Sequence, residues 1–197
     1  MKNIREKLVD FRNTLYHLLP KRKDAIFELM DANSASTTSL NSVVHLSKSA
    51  FFTRQHPSIT DALTDGLAVA QWDDIQKLIW RTSQPKDMAS YHCFVVDCTP
   101  QDRLHAKTRD DRSIVHKANP SPGNKPICAG HEYSTVVCVP PGSSEERKRW
   151  AVPVSTERVP SEEKGHELGI KQIASLLKQL GLEDKLTLSI GDSAYAT

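Results

Sequence analysis

The sequence predicts an α+β chain: a helical region over residues 1–90, then a mixed α/β sheet region over residues 91–197 in the order strand, strand, strand, helix, strand. Three observations carry this expectation. Apolar residues recur at three- and four-residue spacing through most of the first 80 positions. At about residue 91 the pattern changes to short runs rich in β-branched and aromatic residues. One amphipathic stretch, 161–181, separates the third of those runs from the last.

Composition sets the outer limits. The 197 residues are 38% hydrophobic, 25% charged and 6% aromatic, which excludes collagenous, wholly disordered and disulfide-scaffold chains. No apolar run approaches the roughly 18–20 residues of a membrane helix. The opening MKNIREKLVDF lacks the apolar stretch of a signal peptide. A soluble, cytoplasmic protein with no membrane partner is therefore expected, its four cysteines as free thiols. Net charge is +2, with 12 basic and 10 acidic residues over 1–90 and 14 of each over 91–197. A polycation is excluded, so nucleic-acid binding has to come from a local site.

Taken in order, Ile4, Leu8, Phe11, Leu15, Leu18 and Leu19 predict a first helix that Pro20 stops. Lys21 to Asp31 predicts a second, with Ile26, Leu29 and Met30 on one side. The Ser/Thr-rich run NSASTTSLNS reads as loop. Helical spacing resumes over 58–80 through Ile59, Leu63, Leu67, Trp72, Ile75, Leu78 and Ile79. Such a helical region suits DNA contact or simple packing.

YHCFVVD predicts a buried strand ending at Asp97. Residues 98–132, with four prolines and Gly123, read as an unusually long connection. Tyr133–Val139 predicts a second strand and PPGSSEERKR a hairpin-like link. Arg149–Ser155 predicts a third strand, on which Pro153 suggests an edge. Ser161 is the expected cap of a helix whose first turn holds Glu162 and Glu163. Its apolar stripe would be Ile170, Ile173, Ala174, Leu177 and Leu180, with Gly181 as the stop. LTLSIGDSAY then predicts a strand that delivers Asp192 at its C-terminal tip.

That order can build a partial RNase H-like sheet, in which a right-handed crossover returns the last strand parallel to the first. Asp97 and Asp192 would then emerge side by side. Two adjacent carboxylates repel unless a divalent cation neutralises them. Mg²⁺ takes such oxygen ligands and keeps waters for substrate phosphates. The placement points to metal-dependent cleavage or transfer of nucleic-acid strands. Arg103, Lys107, Arg109, Arg112, Lys117 and Lys125, on the long stretch after Asp97, are the expected DNA-contact residues. Asp102, Asp110 and Asp111 dilute their charge, and His105, His116 and His131 lie in the same stretch.

Four blocks in sequence order, FVVDCTPQDR, NPSPGNKPICAGHEYSTV, WAVPVSTERV and LSIGDSAYAT, resemble a family of bacterial insertion-sequence DDE transposases. DFRNTLYHLLPKRKDAIFELMDA and SITDALTDG look like that family's N-terminal region. The resemblance spans most of the chain. It implies an RNase H-like catalytic fold over 91–197, using Mg²⁺ or Mn²⁺ to nick and join double-stranded DNA at transposon ends and target. It also implies a nucleoid-associated location and self-association. On the matching positions Asp97 is the first catalytic and metal-binding acid and Asp192 the second. The family's third acid comes from a helix well after the second, whereas Glu157, Glu162, Glu163 and Glu167 all precede Asp192. A C-terminally truncated, N-terminal transposase fragment is therefore expected, inactive alone. The alternative is a non-catalytic DNA-binding or dimerising remnant.

Other chemistries are less well supported. Cys128 and His131 have zinc-like spacing that Cys93 or Cys98 could complete, but Cys93 and Cys138 fall in apolar strands. Glu146-Arg147-Lys148 is an E-x-K string in a Ser/Gly-rich link and not on a strand.

Overall fold

The computed structural model describes residues 3–37, 43–83, 91–103, 108–117, 123, 125–139 and 151–192. They fall into two compact units, Met1–Leu78 and Ile79–Thr197.

In the first unit the helical spacing forms α1 (Ile4–His17) and α2 (Lys23–Ser34). Asn3 opens α1 with a capping box: its side chain accepts the Glu6 N–H while the Glu6 carboxylate accepts the Asn3 N–H. Arg12 donates to both carboxylate oxygens of Asp31, at 2.7 and 2.9 Å, tying α1 to α2 above buried Leu15, Ala25, Ile26 and Leu29. The periodic stretch over 58–80 is not one helix. It divides into α3 (Pro57–Asp61), a π turn at Ala62–Gly66, a 3₁₀ turn at Leu67–Val69 and α4 (Trp72–Ser83). A Cβ on Gly66 would lie 2.8 Å from Ile26 Cδ1 and 3.2 Å from the Lys21 carbonyl, so the π turn passes α2 too closely for a side chain.

The second unit is a five-stranded mixed sheet with a helix, an α+β fold consistent with an RNase H-like domain. Its strands are β1 (Tyr91–Asp102), β2 (Ser113–His116), β3 (Ile127–Cys138), β4 (Val152–Val159) and β5 (Leu186–Ile190), with α5 (Gly165–Leu180) between the last two. The sheet order is β2-β3-β1-β5, and β4 also pairs with β3. β1 lies antiparallel to β3 and parallel to β5. β2 and β4 follow one another along the free side of β3, which makes β4 an edge strand. Pro153 sits there at a register break opposite Val136 and Val137.

Several local expectations are corrected. β1 does not end at Asp97: Cys98–Asp102 continue it, paired with Ser134–Gly130 of β3. Pro100 is tolerated because beyond Val95 β1 has no partner on its other side. The stretch 98–132 therefore holds the end of β1, all of β2 and the start of β3. Its polar residues extend the ladder because β3 supplies their backbone partners. Ser161 does not cap α5; Lys164 holds that position without a side-chain bond, and the Ser161 N–H instead donates to Asp111. Gly181, with φ 66°, ends the helix as expected. PPGSSEERKR, including the E-x-K string, lies outside the described residues.

The buried face of α5 is rotated relative to the apolar stripe. Ile170 is 59% exposed, while Leu168, Gly169, Gln172 and Leu176 are buried. Gln172 turns inward because its amide donates to the Ser134 carbonyl and to Ser155 Oγ, at 3.3 and 3.2 Å. These bonds pin α5 over β3 and β4 while Phe94, Val96, Val136, Val154, Leu176, Leu182 and Trp80 form the core beneath. The N-terminus of α5 lies tightly on β1, since a Cβ on Gly165 would overlap Cys98 Sγ. Gly165→Ala is accordingly expected to destabilise the fold by about 1–3 kcal/mol through overpacking. Urea unfolding tests this; an unchanged midpoint would show that the contact has room to give.

Candidate functional site

The core dictates where the two candidate acids emerge. Phe94 and Val96 point into the core, so Asp97 belongs to the opposite face of β1, where it is exposed. In the parallel register Val95 pairs with Ile190, the last residue of β5. Asp97 lies two residues beyond that last pair on β1, and Asp192 lies two residues past the end of β5. Both are exposed, and Asp97 Oδ1 accepts the Cys98 N–H at 2.9 Å.

Carboxylates such as these are oxygen donors of the kind that a hard divalent cation takes. Among the described residues no group of three or more His, Cys, Asp or Glu side chains could hold a metal.

The basic residues are divided by the fold. Arg103 donates to the Asp102 carbonyl and Arg112 to the Arg103 carbonyl, so these two meet at the β1–β2 connection, with exposed Arg109 between them in sequence. Lys117 and exposed Lys125 stand at the other end of β2, where the Lys117 N–H donates to the Pro126 carbonyl. Lys107 and His105 lie outside the described residues. β1 carries the chain about 17 Å past Asp97 before this connection begins.

The connection then folds back. His131 belongs to β3, is 1% exposed, and has its Nε2 3.2 Å from the Asp110 carbonyl, a geometry suited to an Nε2–H donor. Asp111 pairs with Arg158 of β4 at 2.9 Å and accepts the Ser161 N–H, also at 2.9 Å. Its φ of 54° places it in the left-handed region, where Asp is among the better-tolerated residues. Arg158 is opposite Tyr133, and Tyr133 opposite Thr99, two residues beyond Asp97. The Asp111 latch thus ties the β1–β2 connection to β4 and to the segment that precedes α5. In sequence Asp111 counts merely as a residue that dilutes positive charge; only a partner 47 positions away reveals it as the anchor.

The zinc alternative fails on geometry. Cys128 and His131 are three residues apart on one strand and so face opposite sides of the sheet. Cys128 Sγ donates to Asp102 at 3.3 Å, and burial followed by Asp102 pushes its thiol pKa up, away from the thiolate a zinc ion needs. All four cysteines are free, as expected. Among the described residues no helix is long and apolar enough to cross a membrane.

A family model described as DDE superfamily endonuclease matches residues 14–197. No curated protein and no solved structure matches the chain.

The latch has a pH signature. Hydrogen bonding to Ser161, aided by Arg158 and His131, holds the Asp111 carboxyl below the ordinary carboxylate range. A depressed folded pKa gives stability that is full above the unfolded value, near 3.9, and is lost as pH falls through the folded value. Thermal unfolding below about pH 4 should therefore bring the wild type and Asp111→Asn together, after a wild-type advantage at neutral pH. Two parallel curves would show that Asp111 carries no such linkage.

Proposed function

The chain belongs to the DDE superfamily of endonucleases, and on that premise we propose that it is a transposase portion that cuts and joins DNA at insertion-sequence ends. Superfamily domains of this kind act on DNA and generally use divalent metals. The observation that supports the finer reading is the parallel pairing of β1 with β5, which ends at Val95 and Ile190, two residues before exposed Asp97 and exposed Asp192.

In this reading Asp97 and Asp192 are the metal ligands, and residues 91–197 are the catalytic domain. The helical region 1–90 supplies further DNA contact. Asp97 and Asp192 would hold Mg²⁺ or Mn²⁺, which would offset their charge and stabilise charge developing on the phosphate oxygens. The two strands hold their acids on a rigid sheet, so little reorganisation is needed when a phosphodiester arrives. Arg103, Arg109 and Arg112, with Lys107, Lys117 and Lys125, contact phosphates further along the duplex. Water is the first nucleophile, and the freed 3′-hydroxyl of the transposon end is the second. Self-association would bring two ends together.

The absence of a third acid beside the pair among the described residues favours weak metal affinity and no complete transfer by this chain alone. The same observation favours a second reading, a DNA-binding or dimerising remnant without catalysis. Mn²⁺ binding followed by electron paramagnetic resonance separates the two. The transposase reading expects weak binding that duplex DNA strengthens, because phosphate oxygens complete the shell. Asp97→Asn and Asp192→Asn are each expected to weaken binding about 10- to 100-fold. DNA binding without Mn²⁺ affinity dependent on both acids would support the remnant and sink the metal assignment.

A further inference from the structure

The row of residues across the sheet at Asp97 continues beyond the two acids. Asp97 is opposite Thr135 of β3, and Thr135 is opposite Thr156 of β4. Directly opposed residues share a face, so Asp97, Thr135 and Thr156 form one line over three neighbouring strands, about 10 Å from end to end. The two threonine hydroxyls are 3.3 Å apart, and either can donate to the other. They occupy the side of the sheet that α5 leaves uncovered, as Gln172 and the core residues define the other side.

We infer that Thr135 and Thr156 form a neutral hydroxyl seat for a DNA phosphate next to the one that reacts at Asp97 and Asp192, an inference that rests on the transposase reading of those acids. A threonine pair brings two O–H protons, and the bond between them uses one. The accepting hydroxyl keeps its own proton, and acceptance of the first bond strengthens it as a donor. A phosphate oxygen is the natural acceptor, since hydroxyl side chains are regular phosphate-backbone ligands in protein–DNA interfaces. The seat adds no charge beside the carboxylate pair, whereas a lysine or arginine in the same row would pair with Asp97 and withdraw it from a metal. One strand row away, Arg158 has its charge engaged by Asp111, so the nearest basic group on β4 does not compete for the position.

The neutrality of this seat provides its test. Each phosphate neutralised by a basic residue steepens the log–log salt dependence of binding by about 0.9, and a hydroxyl contact leaves that slope unchanged. Binding of a fluorescein-labelled duplex would be followed by anisotropy across a salt series, for wild type, Thr135→Val, Thr156→Val and the double variant. Valine keeps the shape and strand preference of threonine, and near-ultraviolet circular dichroism confirms that the sheet is intact. The expected result is a loss of about fivefold in affinity for the double variant. The salt slope should be unchanged, and the Thr135→Ser, Thr156→Ser protein should regain affinity. Lys125→Ala, by contrast, should lower the slope by about one. Wild-type affinity in the valine variants, or a changed slope, would overturn the seat while leaving the acid pair as assigned. Absence of duplex binding by the wild type would overturn the transposase reading as well.

Discussion

The parallel pairing of β1 with β5 is the constraint on which the site depends. Two strands far apart in sequence can lie parallel and adjacent only if the chain between them crosses over, and α5 is that crossover. Its burial is what sets the register. Leu176 and Leu182 enter the core with Phe94, Val96, Val136 and Val154, and Gln172 is bonded to β3 and β4. A slip of one residue would turn the core side chains outward and bring Asp97 to the wrong face. The exposure of Asp97 on the face opposite α5 is thus a consequence of core packing.

The sheet also organises charge. Long-range contacts between acidic and basic groups are screened within about 10 Å in ordinary salt, so scattered positive residues attract DNA effectively only when held together near the reacting end. The Asp111 latch fixes the connection after β1 against β4, through Arg158 and the Ser161 backbone. With near-neutral net charge over the whole chain, the proposed DNA contacts depend on local arrangement. The proposed seat at Thr135 and Thr156 would add uncharged donors, where added positive charge would quench the acids.

Membership of the DDE superfamily fits each of these features without following from any one of them. RNase H-like sheets serve several chemistries, so the fold carries little functional information by itself. The proposed carboxylate pair would carry more, because repulsion between such groups is costly unless something positive is shared between them.

What the sequence determined by itself was set by periodicity and residue type. Alternation and β-branched runs marked β1, β3 and β5, the 3.6-residue spacing marked α1, α2 and α5, and Gly181 marked a helix end. Asp97 and Asp192 stood out as candidate acids because each follows an apolar run. Tertiary structure decided the rest. Cys98–Asp102 and β2 have no strong strand pattern, and they are strands because β3 provides their hydrogen-bond partners. Gln172 is polar yet buried because two acceptors wait beneath it, which rotates α5 away from its apolar stripe. Thr135 and Thr156 are unremarkable as letters, and Asp111 reads as an isolated charge. Their significance comes from partners 21 and 47 residues away, and no local pattern encodes a partner that only the folded chain brings near.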